Sequence, residues 1–207
     1  MQRNRLYRAG VLEAEDFDPT DISERIGEPD VVVWLDLESP DERELALLAE
    51  EFSLNALAVE DAAHEHQRPK VDHYSDHIFM SLYGVHLDVD TGELHTSELA
   101  VFAAHKWLIT VRKTGAFDMA HVEAVWDSNA DRAEHGVGFL LHGLLDHVVD
   151  GHFEAVQELD DAVEDVEARL FDDNPNPWRS RNAHSRCVRP SWTCAGSACP
   201  CARSSTP

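Results

Sequence analysis

The apolar positions of this chain change period along its length, and each change marks an expected element. Val31 to Leu37 reads VVVWLDL, an apolar and largely β-branched run bounded by Gly27 and Pro29 before it and by Ser39 and Pro40 after it. Such a run suits a buried strand. A helix is expected next, because Ser39 and Glu42 have capping-box spacing, Pro40 suits the first helical position, and Leu45, Leu48, Ala49 and Phe52 repeat at helical spacing. A second short helix is expected around Asn55 to His64, ending before Pro69. Tyr74 to Leu87 and Glu93 to Phe102 read as two strands joined through Asp90-Thr91-Gly92, and Trp107 to Arg112 as another.

Downstream the period becomes helical again. Phe117 to Arg132 predicts one helix and Val137 to Phe171 a longer one, in which Leu145, Val149, His152, Val156, Leu159, Val163, Val166 and Leu170 step by four and three residues. That spacing predicts a packing stripe. The other faces carry Glu154, Glu158, Asp160, Asp161, Glu164, Asp165 and Glu167. Pairs such as Asp150 with Glu154 repel by about 0.2–0.5 kcal/mol each, which cations or a basic partner would relieve. A strand, then helices, then a meander of strands predicts an α+β fold, a mixed β-sheet layered with helices and followed by a long C-terminal helix.

Charge narrows the choice of partner. The 207 residues include 40 acidic and 17 basic ones, a formal net charge of −23, which argues against nucleic acid and for cations. The four cysteines, Cys187, Cys194, Cys199 and Cys201, fall late in the chain, so the body before them suits a reducing compartment. No apolar run approaches the roughly 20 residues of a bilayer span, and no secretory signal follows the early arginines. The composition divides the chain into an N-terminal segment 1–30, an α+β unit 31–135, an acidic helix 136–173 and a tail 174–207 that has five arginines and no acid. The tail lacks either period and is expected to be disordered; a shifted reading frame accounts best for its Arg, Ser, Pro and Cys content. A zinc module using His184 is disfavoured by the C-x6-C-x4-C-x-C spacing.

The candidate chemistry is concentrated in Leu57 to Val71, LAVEDAAHEHQRPKV. Glu60 and Asp61 offer hard oxygen ligands suited to Mg2+, but adjacent helical residues point about 100° apart, so another surface must complete a site. His64, His66, His73 and His77 lie nearby, yet no nucleophile motif accompanies them and Gly136-x-Gly138 alone is weak, so no enzyme is expected. Pro69 fixes its own φ and biases Arg68 toward an extended conformation, which sets a helix-to-strand turn.

The run His66-Gln67-Arg68-Pro69-Lys70 after Glu60-Asp61 resembles the cytoplasmic domain of the CorA magnesium/cobalt transporters. WLDL at Trp34 to Leu37 and GFLLHGLLDHVVDGHF at Gly138 to Phe153 extend the resemblance over roughly residues 31–173. It implies a regulatory divalent-cation site, Mg2+ or else Co2+ or Zn2+, to which Asp61 contributes between neighbouring protomers, and a homo-oligomer, a pentamer. It also implies a cell-membrane family with this domain on the cytoplasmic side. The stalk helix, membrane spans and Gly-Met-Asn motif of the family have no counterpart here, so the expectation is a truncated, cytoplasmic, non-conducting regulatory part. Two alternatives stay open: the matching domain of a zinc transporter, and a stand-alone acidic module that modulates channel assembly.

Overall fold

The computed structural model describes residues 2–17, 22–89, 91–170 and 189–190. Seven strands form one mixed sheet in the order β2-β1-β3-β7-β6-β5-β4. They are β1 (Gln2–Arg8), β2 (Val11–Glu15), β3 (Val31–Glu38), β4 (Lys70–His73), β5 (Ile78–Asp88), β6 (Glu93–Ala103) and β7 (Trp107–Arg112). Every pairing along that path is antiparallel except β3 with β7, which run parallel. A two-residue strand β8 (Arg189–Pro190) lies beside the start of β6. The other tail residues, with the cysteines and His184, lie outside the described residues.

Alternation along the central strands feeds two cores. Val31, Val33, Leu35 and Leu37 of β3 join Ile109 and Val111 of β7 under α1 (Ile22–Ile26), α2 (Glu42–Glu51) and α3 (Ala56–Ala63). Trp34, Leu99, Val101 and Leu108 face the other way, toward α4 (Met119–Ser128) and α5 (Val137–Leu170). On that second face Trp34 meets Trp126 edge-on at 4.9 Å, and the Trp126 indole N–H donates to the Leu140 carbonyl at 3.2 Å.

The same face also buries charge. Asp36 is fully buried and accepts from Arg112 Nη2 at 2.6 Å, from Arg112 Nε at 3.1 Å and from the Thr110 hydroxyl at 2.7 Å. Glu38 stands 3.4 Å from the same Arg112 Nη2. Alongside, Arg3 and Arg5 of β1 pair with Glu123 of α4, and Arg5 also with Asp127 and Glu15. Buried charges are tolerated when they are paired with the opposite charge, which these are.

Several expected boundaries move. The capping box belongs to Asp41 and Glu44 rather than Ser39 and Glu42. Ser39 takes a left-handed φ of 49°, and both its N–H and its hydroxyl are spent on the carbonyls of Arg112 and Lys113, which leaves Pro40 ahead of the helix. The strand expected from Tyr74 begins at Ile78, because the Tyr74 N–H bonds the His77 carbonyl and turns the chain from β4 into β5. The helix expected over Phe117 to Arg132 is α4 followed by a 3-10 turn, Ala130–His135. β1 and β2, unanticipated, complete one side of the sheet.

The largest correction concerns α5. Its buried row is Val137, Leu140, Leu144, Val148 and Ala155, whereas Val149, Val156, Val163 and Leu170 of the expected stripe are exposed, as is Phe153 beside them. Gly143 and Gly151 select the face. A Cβ on Gly143 would lie 2.7 Å from the Trp126 indole nitrogen and one on Gly151 2.9 Å from the Val85 carbonyl oxygen, so only glycine lets the helix close onto α4 and β5 at these two points.

Candidate cation-binding site

Asn55 caps α3 by accepting the Leu57 N–H at 2.9 Å, and Ala58 and Ala62 bury the inner face of the helix. Glu60 is left exposed and Asp61 half-buried in the last turn. The chain leaves the helix through His64, whose N–H and Nδ1 both lie within hydrogen-bonding reach of the Glu60 carbonyl, and reverses at His66 with a left-handed φ of 66°. Glu98 of β6 holds the reversal by accepting the His66 N–H at 2.8 Å and the Gln67 N–H at 3.1 Å. The Tyr83 hydroxyl donates to the Gln67 carbonyl at 2.7 Å. Pro69 then leads into β4. The His-Gln-Arg-Pro-Lys run thus forms the connection from helix to strand, with its first two backbone donors satisfied by a carboxylate from a distant strand.

Lys70 opens β4 and turns back. Its ammonium lies 2.6 Å from Asp61 Oδ2, 2.7 Å from Asp72 Oδ2 and 5.5 Å from the centre of the Phe79 ring. The bond from Asp61 first, and that from Asp72 second, raises the Lys70 pKa above its ordinary value. Lys113 donates to the Ala62 carbonyl just beneath; burial lowers its pKa against the pull of Glu98, Glu65 and Asp61. Tyr83 is shifted upward, by burial and then by Glu98.

The structure therefore brings Asp61 together with Lys70 and Asp72, not with Glu60. Exposed His64, His66 and His73 do not converge, and His77 is buried, its Nδ1 2.7 Å from Asp76 and its ring stacked on Tyr74. Among the described residues no three His, Cys, Asp or Glu side chains are placed to hold a metal ion. Sequence reasoning missed Glu98, Tyr83 and Asp72. Tyr83 and Glu98 are directly paired across β5 and β6, and a carboxylate just before the apolar LAVFA run of β6 was the available signal.

A cleft of about 940 Å³ lies elsewhere, among the start of β3, the β6–β7 turn and the start of α5. Its Lys106 ammonium is already held by the carbonyls of Ile26 at 2.9 Å and Glu28 at 2.7 Å. No helix among the described residues is long and apolar enough to cross a membrane.

Known proteins share this architecture. YfjQ of Bacillus subtilis, named for metal ion transport, is 29% identical over 145 residues, which cover 70% of this chain and 44% of that protein. The cobalt/magnesium transport protein CorA of Thermotoga maritima is 24% identical over 127 residues, 60% of this chain and 36% of that one. The chain thus spans less than half the length of either relative. The solved soluble domain of CorA from Methanocaldococcus jannaschii superposes with a TM-score of 0.62 at 18% identity, covering 81% of this chain and 64% of that domain. The profile of the CorA-like Mg2+ transporter proteins matches residues 29–185, so the chain belongs to that family.

Proposed function

We propose that this chain is the cytoplasmic, cation-sensing part of a Mg2+/Co2+ transporter, and that conduction belongs to segments other than those described. Family membership over residues 29–185 carries the reading. In it Asp61, with exposed Glu60 beside it, supplies oxygen ligands to a regulatory Mg2+ shared with a neighbouring protomer, in a homo-oligomer that the family resemblance makes a pentamer. One or two carboxylates from each of two surfaces suit a cation that keeps several of its waters. A cation bound across protomers favours the assembled state by its difference in affinity for the two states, and its loss restores repulsion between strongly acidic chains. Sedimentation of the full chain with and without MgCl2 tests this: Mg2+ should shift wild type toward the oligomer and leave D61N unmoved. Identical sedimentation of wild type in both conditions would refute it. Repeating the titration with Co2+ and Zn2+ separates a magnesium/cobalt sensor from the zinc-transporter alternative, since Zn2+ favours nitrogen and sulfur ligands.

A second reading has its own observation. The exposed Val149, Phe153, Val156, Val163 and Leu170 on α5 suit a stand-alone acidic module that joins other subunits and modulates channel assembly. Co-purification with an intact channel, abolished by V149S/F153S, would favour that reading over cation sensing.

A further inference from the structure

We propose that Lys70 is an internal cation seated at Asp61, and that a divalent ion binds there by displacing the Lys70 ammonium and drawing Asp61 and Asp72 onto itself. The proposal rests on the reading of Asp61 as a cation site and adds the second ligand and the competitor.

Two carboxylates from different elements, the last turn of α3 and the strand β4, point one oxygen each at a single spot, 2.6 and 2.7 Å from the nitrogen that fills it. The Phe79 ring borders the same spot. Its centre lies 5.5 Å from the nitrogen and presents the electron-rich surface that attracts cations. The occupant is removable. Lys70 is held in the sheet by its backbone, paired with Ser81, while its side chain is 34% exposed on a flexible four-carbon stem. Its departure therefore breaks no ladder bond.

The exchange has a favourable charge balance. An ammonium brings one positive charge to two carboxylates, and a divalent ion brings two. Mg2+ binds oxygen at about 2.0–2.1 Å, shorter than the present contacts, so the carboxylates close slightly or a retained water spans the gap. Lys70 thus keeps the two acids from repelling each other when the ion is scarce and raises the concentration at which the ion takes over.

The test is a MgCl2 titration of the full chain at constant ionic strength, followed by backbone amide shifts of residues 60–73. K70Q should bind Mg2+ about tenfold more tightly than wild type, and K70R, which keeps the charge, should stay within about twofold of it. R43Q, an equal loss of charge on α2, should change affinity less than twofold. Adding D72N to K70Q should remove the gain. Unchanged amide shifts of β5 and β6 without Mg2+ verify the fold of each variant. If K70Q binds no more tightly than R43Q, or keeps its gain with D72N, the competitor role is overturned, while Asp61 remains a site provided D61N abolishes the shifts. If D61N leaves the shifts as they are, the underlying reading of Asp61 fails as well.

Discussion

Replacing Asp36 by valine should be among the most damaging single changes in the sheet, through a mechanism that a second substitution can isolate. Arg112 is 6% exposed, and three of its contacts go to the Asp36 carboxylate, at 2.6, 3.1 and 3.1 Å. Removing one partner of a buried pair costs about 3–5 kcal/mol, because the other charge stays buried and unmatched. Glu38 at 3.4 Å offsets part of that here, so D36V is expected to cost about 2–4 kcal/mol. R112M should cost at least as much, since it leaves fully buried Asp36 with the Thr110 hydroxyl at 2.7 Å. The double variant D36V/R112M, with both charges gone, should return to within about 1 kcal/mol of wild type, because an apolar replacement of a buried pair is often neutral. Urea unfolding followed by circular dichroism measures all three. With a slope of about 2 kcal/mol per molar, each single change lowers the midpoint by roughly 1–2 M. A D36V cost below about 1 kcal/mol, or a double variant as unstable as the two singles combined, would refute the reasoning.

Other perturbations test other parts of the structure. Burial, then the like charge of His121, whose ring stacks on it at 4.8 Å, lowers the His147 pKa below its ordinary 6.5, against the pull of Asp118, Asp150 and Glu154. The unfolded chain then binds the proton more readily, so His147 stabilises the fold fully above pH 6.5 and this contribution is lost as pH falls through the folded value. The stability difference between wild type and H147Q, measured by urea melts from pH 8 to about pH 5, should shrink on acidification; a constant difference would contradict the assignment. G151A should lose about 1–2 kcal/mol, as crowding against the Val85 carbonyl exceeds the helical preference for alanine, whereas G138A, whose added Cβ meets nothing within 4 Å, should be neutral or mildly stabilising. E98A should cost about 1–3 kcal/mol through two lost charge-assisted bonds and speed amide hydrogen exchange at His66 and Gln67; unchanged exchange there would count against the clamp. V149S/F153S should leave thermal stability within about 0.5 kcal/mol of wild type, while V148S, on the buried row, should cost about 2–4 kcal/mol.

Where a segment states its own environment, the chain was readable from sequence. VVVWLDL gave β3 and the spacing of Leu45, Leu48 and Phe52 gave the buried face of α2, because in both the local pattern and the final burial coincide. β1 was hidden for the opposite reason. QRNRLYR looks like a solvated arm, yet Arg5 is buried because Glu123 and Asp127, more than a hundred residues later, neutralise it. On α5 two aliphatic rows compete at nearly the same spacing, and the glycines, not the aliphatics, decided which one packs. At the candidate site the sequence pointed to Asp61 and to the turn after it. It could not show that Lys70, nine residues on, returns to the same carboxylate, since that depends on how tightly the turn reverses; Glu98 completes the reversal from another strand.

The parallel ladder between β3 and β7 has a kinetic consequence. β2-β1-β3 and β7-β6-β5-β4 are each antiparallel, and among the described strands the β3–β7 ladder, with pairs such as Asp36 and Thr110, joins one group to the other. The strands of each group can find one another across short or moderate connections, but the seam must bring together positions more than seventy residues apart. Loop closure delays such contacts, and high contact order slows folding. The two groups are therefore expected to form early and dock late. Substitutions across the seam, at Asp36 or Thr110, should chiefly accelerate unfolding, while those inside the β5–β6 hairpin, such as at Phe79 or Phe102, should slow folding.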